Sequence, residues 1–258
     1  MMRPLARPPW EPWFEGADAG LVAQSAFGRF CAACERHLNE GVEAWDARTG
    51  RRAAARATAS GWDDLLPLCV NCLAASEAAA GADLGDDAGL RPDRAAPFAD
   101  AAAPPFTYVS VPVAVRGADE AGDASAPATV ERVLVRGHTP AAVAMIGRFA
   151  LNTPHHVVTS DGGDALLLPA GTPLRLLDAY DPRLERRTEA WVDAEIAADA
   201  LAAAPPGGRG AALRSLGWGM RFTGFWSVWA QVLWDRLQDD EVLARVRDHP
   251  AYLGTRAA

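Results

Sequence analysis

No stretch of this chain reaches the roughly 20 consecutive apolar residues that a membrane-spanning helix needs, although half of its 258 residues are apolar. The opening residues, MMRPLARPPWEPWFEG, carry arginines but lack the apolar centre that defines a secretory signal. A cytoplasmic protein is therefore expected. Basic charge is also scarce: 25 Lys and Arg stand against 33 Asp and Glu, for a formal net charge of −8. Non-specific nucleic-acid binding works by neutralising phosphates, so this balance disfavours it over the surface at large while leaving a local basic patch open. Cysteine is rare, four residues in all. Disulfides are disfavoured in a reducing compartment, so four cysteines in two close pairs point to a metal instead. Much of the apolar fraction is alanine, which adds little to a core, and no internal repeat is present.

Along the chain, residues 1–25 read as an extended, proline-rich arm with Trp10, Trp13 and Phe14 as anchors, either on the chain's own surface or on a partner. Residues 26–80 hold both cysteine pairs. Residues 81–105 are rich in Gly, Pro, Asp and Ala and aperiodic, hence a linker or long surface loop. Residues 106–258 form a mixed β/α region. FTYVSVPVAV (106–115) and TVERVLV (129–135) read as a hairpin, with Pro112 arguing for an edge strand. Thr139-Pro140 starts a helix with Val143, Ile146 and Phe149 on one face. Asp181-Pro182 starts a second, with Leu184, Thr188, Trp191 and Glu195 or Ile196 along a face. ALLLP (165–169) and PLRLL (173–177) read as short buried strands. A last helix spans about 220–247, and Phe222, Trp226, Trp229 and Leu233 fall at helical spacing in it. Six large aromatics lie between Trp218 and Trp234, more than one amphipathic face requires. They either pack the core or, with Trp226 and Trp229 foremost, dock a protein partner in an assembly.

Cys31-Ala-Ala-Cys34 and Cys69-Val-Asn-Cys72 can converge into the tetrahedral four-thiolate sphere that Zn²⁺ prefers. Four soft ligands leave no open position, so one structural zinc ion is expected.

The surrounding text resembles the cysteine-bearing branch of the HNH (ββα-metal) endonucleases, which reads approximately CxYCE, then VEHFxPK, then WxNLLPLCxxCN. Here the matching stretches are Cys31-Ala-Ala-Cys34-Glu35, Val42-Glu43-Ala44-Trp45-Asp46-Ala47-Arg48 and Trp62-Asp63-Asp64-Leu65-Leu66-Pro67-Leu68-Cys69-Val70-Asn71-Cys72-Leu73. The resemblance covers residues 31 to about 76. LNTP (151–154) and DPRLERRTEAW (181–191) also resemble the helical tail of one subgroup that is often paired with ATPases in phage defence. It implies an α+β fold: a zinc-stabilised ββα module, then a hairpin and helices.

It also implies a catalytic apparatus that this chain lacks. The family needs a histidine to deprotonate water and a divalent metal to stabilise charge on phosphate. The general-base position here is Ala44, the orienting position Asp64 and the final metal position Leu73, and Glu43 remains as a potential ligand. The expected function is a non-catalytic, zinc-binding structural subunit or adaptor. Two alternatives stand beside it. One is a metal-dependent nuclease with displaced residues, Glu43 with His37. The other is a nucleic-acid-binding module that grips phosphates through Arg48, Arg51, Arg52 and Arg56 without cutting. His155-His156, His138 and His249 read as loop or helix-end residues without a role.

Overall fold

The N-terminal arm folds back on the chain. In the computed structural model, which describes residues 7–38, 41–79, 105–115, 128–152, 157–159, 183–205, 207–247 and 249, Trp10 packs edge-on against Phe14 and Trp62, with ring centroids 5.4 and 5.6 Å apart. The Trp62 indole N–H donates to the Pro8 carbonyl at 3.2 Å. Arg7 donates to the Trp62 carbonyl and lies over the Phe27 and Trp62 rings. Trp13 is exposed. Residues 81–104 of the expected linker, the strands expected at 165–169 and 173–177, and His155-His156 lie outside the described residues.

Helix α1 (Ala19–Phe27) starts at Asp18, whose carboxylate accepts the Leu21 N–H at 3.0 Å. Strands β1 (Glu43–Asp46), β2 (Arg51–Arg52) and β3 (Leu65–Leu68) form one sheet in the order β2-β1-β3, with β1 antiparallel to both neighbours. Helix α2 (Val70–Ala79) follows β3 after one residue. All four residues of β3 are buried, as its unbroken apolar text LLPL demands.

The expected hairpin is present. Strands β4 (Phe106–Val115) and β5 (Ala128–Gly137) pair from Phe106↔Gly137 to Val115↔Ala128. One expectation is corrected: β4 is the central strand, because β6 (Val157–Thr159) pairs with it. That pairing begins at Val113, so Pro112 lies just outside it, where its missing N–H costs no ladder bond. Two side-chain amides cap the sheet's other open backbone groups. Gln231 accepts the Tyr108 N–H at 2.7 Å and donates to the Tyr108 carbonyl at 2.9 Å. Asn152 does the same for Val135, at 2.8 and 2.7 Å.

Helix α3 (Pro140–Arg148) begins as expected, with the Thr139 hydroxyl accepting the Ala142 N–H. Its buried stripe is Ala142, Met145 and Phe149, however, and Val143 is exposed. Helix α4 (Arg183–Ala203) likewise buries Arg183, Arg187, Ala190, Ala194, Ala198 and Leu201, while Ile196 is exposed. Phe149 and Leu184 are buried as expected and Ile146 and Trp191 pack against the core, with alanines sharing the buried faces.

The single helix expected over 220–247 is three: α5 (Arg209–Thr223), α6 (Trp226–Leu237) and α7 (Asp240–Arg247). Gly224 at φ 72° and Phe225 and Gln238, both left-handed, break the chain between them. Helix α6 packs along α4. Trp226 and Trp229 are 0% and 2% exposed, so they are core residues here, and the docking surface expected of them is not on offer in this conformation. Buried residues from Phe14 to Val246 form one continuous cluster.

Candidate metal centre

The first cysteine pair sits in a tight knuckle. The Cys31 N–H donates to the Arg36 carbonyl at 2.8 Å, the Leu38 N–H to the Arg29 carbonyl at 2.8 Å, and Phe30 bridges to His37. Glu35 turns the chain in the left-handed region, at φ 64°. The second pair is set by β3 and α2: Cys69 ends the strand, accepts the Leu73 N–H at 3.0 Å, and leaves Cys72 in the first helical turn. A backbone bond from Ala32 to Pro67, 2.8 Å, ties the knuckle to β3.

All four cysteines are buried, and their sulfurs lie within 4.8 Å of one another. Cys34 Sγ and Cys69 Sγ are 3.8 Å apart. The group can hold a metal ion, and the expected convergence of the two pairs is present. Burial pushes the Cys34 and Cys72 thiols well up from their ordinary range. Hydrogen bonds from Cys31, Cys34 and Cys72 hold the Cys69 thiol well below it, and the Arg183 guanidinium acts in the same direction.

Sequence reasoning missed the residues that surround this cluster. Arg183, 4% exposed at the start of α4, donates from Nη1 to Cys72 Sγ at 3.3 Å and to the Phe149 carbonyl at 2.7 Å. Arg187, one turn on and fully buried, donates to the carbonyls of Leu151 at 2.8 Å and Val133 at 3.2 Å. The Val133 N–H donates to Thr188 Oγ1 at 3.0 Å. Glu35 is also fully buried, and its carboxylate accepts the Ser227 backbone N–H at 2.9 Å and the Ser227 hydroxyl at the N-terminus of α6. That placement pairs a negative charge with the positive end of a helix. The usable signals were the i, i+4 spacing of Arg183 and Arg187 on the alanine stripe and the acid directly after Cys34.

The other expected residues lie apart. Glu43, at the start of β1, forms an ion pair with Arg52 of β2. His37 lies with its ring edge-on to Phe30 and its backbone beside Gly224. Arg48 meets Asp64 at 3.8 Å and Asp46 at 4.0 Å, Arg56 donates to the Gly16 carbonyl at 3.3 Å, and Arg51 is exposed on β2. The space between the β1–β2 turn and α2 is filled from elsewhere. Trp45 donates to Ser76 at 3.2 Å, Ser76 to the Gly50 carbonyl at 2.8 Å, and Arg148 of α3 donates to Ser76 at 3.4 Å while its guanidinium lies over Trp45.

Fold and site together define a mixed α+β protein built around one buried four-cysteine cluster that can hold a metal ion. Comparison with models of known families, with characterised proteins and with solved structures gives no match. No helix among the described residues is long and apolar enough to cross a membrane.

Proposed function

We propose that this protein is a non-catalytic, HNH-like structural subunit or adaptor whose ββα module is held by one zinc ion. Zinc is supported by the donor set and its spacing. Metal–sulfur bonds of about 2.3 Å in a tetrahedron set sulfurs about 3.8 Å apart, the separation of Cys34 and Cys69. Cys31, Cys34, Cys69 and Cys72 would fill the ion's coordination sphere, and the ion would supply cross-linking rather than Lewis-acid chemistry. The HNH-like reading rests on the text quoted above and on the succession β1, β3, α2, an antiparallel pair followed directly by a helix.

The observation that carries the non-catalytic reading is the fate of the three key positions. Ala44 is buried in β1 and has no proton-accepting group; Leu73 is 1% exposed inside the core; and Glu43 is engaged by Arg52. Loss of a general base alone removes about a hundred- to ten-thousand-fold of rate. The arginines from Arg48 to Arg56 are weaker support for a nucleic-acid grip, because Arg48 and Arg52 already meet carboxylates.

Three measurements on the full-length protein test the reading. Elemental analysis is expected to return one zinc per chain. Supercoiled plasmid incubated with Mg²⁺ or Mn²⁺ is expected to stay intact. Affinity purification from the native host is expected to recover a stoichiometric protein partner. Metal-dependent nicking that Glu43→Ala abolishes would overturn the non-catalytic assignment, and a metal-free, folded protein would overturn the zinc.

A further inference from the structure

The groove between α5 and α7 gathers several cations on one concave surface. It encloses about 640 Å³, within the range of roughly 300–1,000 Å³ typical of small-ligand sites. Acids outnumber bases in the chain, 33 to 25, yet among the described residues this lining holds four arginines against one carboxylate, Glu241. Arg209 is paired with Asp239. Arg214, Arg221 and Arg245 form no ion pair among the described residues; the same holds for Arg29, Arg51, Arg56 and Arg136, but here the three cations line one concave surface. Like charges collected at one concave surface repel one another and focus a positive potential into it. Burial, and then the charge of Arg221, hold His249 at its edge below the usual histidine range.

The floor of the groove carries an independent signal. Gly210 and Gly217 lie on the same face of α5 as Arg214 and Arg221. Glycine inside a helix is less favourable than alanine. Neither position has a positive φ, and a Cβ at either would come no closer than 3.8 Å to its neighbours. Packing within the protein therefore does not require these glycines, while their absence of side chains leaves the helix backbone open to close approach. At the rim, Trp218 is 60% exposed with its ring stacked against Phe222 and flanked by Arg221.

We propose that this groove binds a nucleotide, with Arg214, Arg221 and Arg245 on the phosphates and Trp218 beside the base. Guanidinium groups engage phosphate oxygens in pairs of charge-assisted hydrogen bonds, and an exposed indole offers a stacking surface for a base. The nucleotide is either free or part of a single strand, and both present the same chemistry. This inference does not depend on the zinc cluster or on the adaptor reading.

Calorimetric titration of the zinc-loaded full-length protein with inorganic triphosphate, a nucleoside triphosphate and a short single-stranded oligodeoxynucleotide tests it. The nucleoside triphosphate is expected to bind more tightly than inorganic triphosphate, and Trp218→Ala is expected to erase that difference. Arg214→Ala with Arg245→Ala should weaken binding by about tenfold or more. Gly217→Leu, which fills the floor without changing charge, should also weaken it. These are surface changes, and unchanged circular dichroism and metal content establish that the fold persists. Tighter, salt-dependent binding of the oligonucleotide identifies a strand as the source, and tighter binding of the triphosphate a free nucleotide. Failure of all three probes to bind at millimolar concentration overturns the proposal. So does binding indifferent to the arginine pair and to Gly217→Leu, or an acidic peptide that binds as tightly as the nucleoside triphosphate.

Discussion

At the scale of single residues, Arg183 bears most directly on the cluster. Four thiolates around a divalent ion leave a net charge of −2 in a dry interior, and an isolated buried charge is costly unless it is paired. Arg183 supplies one positive charge 3.3 Å from Cys72 Sγ and is itself fixed by the Phe149 carbonyl. Groups in this outer position typically affect metal affinity by about 10- to 100-fold. Arg183→Gln is therefore expected to release zinc to a chromophoric chelator at correspondingly lower chelator concentration, with Arg183→Lys in between. Undiminished retention in Arg183→Gln would show that the guanidinium serves packing alone. The thiols also set a pH dependence. Burial raises Cys34 and Cys72, so without metal they hold their protons at neutral pH, and binding must expel them. Apparent zinc affinity is expected to rise with pH between about 6 and 8 and to fall on acidification, read by the same chelator competition. The i, i+4 spacing of Arg183 and Arg187 is legible in RLERRTEAW, but their burial is not. Arginine on a helix reads as solvent-facing, because charged side chains are rarely buried unless they are paired. The partners that bury Arg183 and Arg187 are backbone carbonyls from distant elements, which carry no sequence signature.

At the scale of elements, the decisive feature is the break between α5 and α6. The apolar spacing continues through it because all the C-terminal helices turn a face toward one core, so periodicity alone reads one long helix. Gly224 was the legible exception. It sits at φ 72° and ψ −147°, a region essentially restricted to glycine, and a Cβ there would collide with the Glu35 carbonyl oxygen. The Phe225 N–H donates to that same carbonyl at 3.1 Å, so the break seats the start of α6 on the turn after Cys34. Gly224→Ala is expected to cost about 3 kcal/mol, read by urea denaturation. Gly147→Ala is the contrast: it sits within α3, where a Cβ would meet nothing within 4 Å, and it is expected to leave stability unchanged or raise it by up to about 1 kcal/mol. Equal effects at the two sites would remove the steric argument. The shifted stripes of α3 and α4 have a related cause. Bulk drew the sequence reading to Val143 and Ile196, which are exposed, whereas Ala190, Ala194 and Ala198 fill much of the buried face of α4. The cysteine spacing, the hairpin and the Thr139 cap were legible because each is fixed by neighbours within a few residues or by a ligand set of defined number.

At the scale of the whole molecule, the question is whether the metal holds a local module or the entire fold. Read from sequence, loss of Cys69 should unfold residues 26–80. The structure extends the consequence. Arg183 joins Cys72 to α4, Glu35 joins the first knuckle to Ser227 of α6, and the Tyr108 hydroxyl meets Ser227 Oγ at 3.1 Å, bringing β4 into the same buried network. The hydrophobic core runs without interruption through both halves. Structural zinc contributes about 10–16 kcal/mol in small peptides, comparable with the roughly 5–15 kcal/mol that holds a typical domain together. Removing it from a node shared by four elements should therefore release them together. Hydrogen exchange with and without a strong chelator is expected to show protection lost in α4 and α6 along with β1, β3 and α2, and Cys69→Ser should reproduce that pattern without chelator. Loss confined to residues 26–80 would mean that the Arg183 and Glu35 bridges transmit no stability. In that case the C-terminal helices form an independent unit, and the groove between α5 and α7 would persist in the metal-free chain. Loss across both halves makes the metal a condition for every surface the protein presents, the groove included.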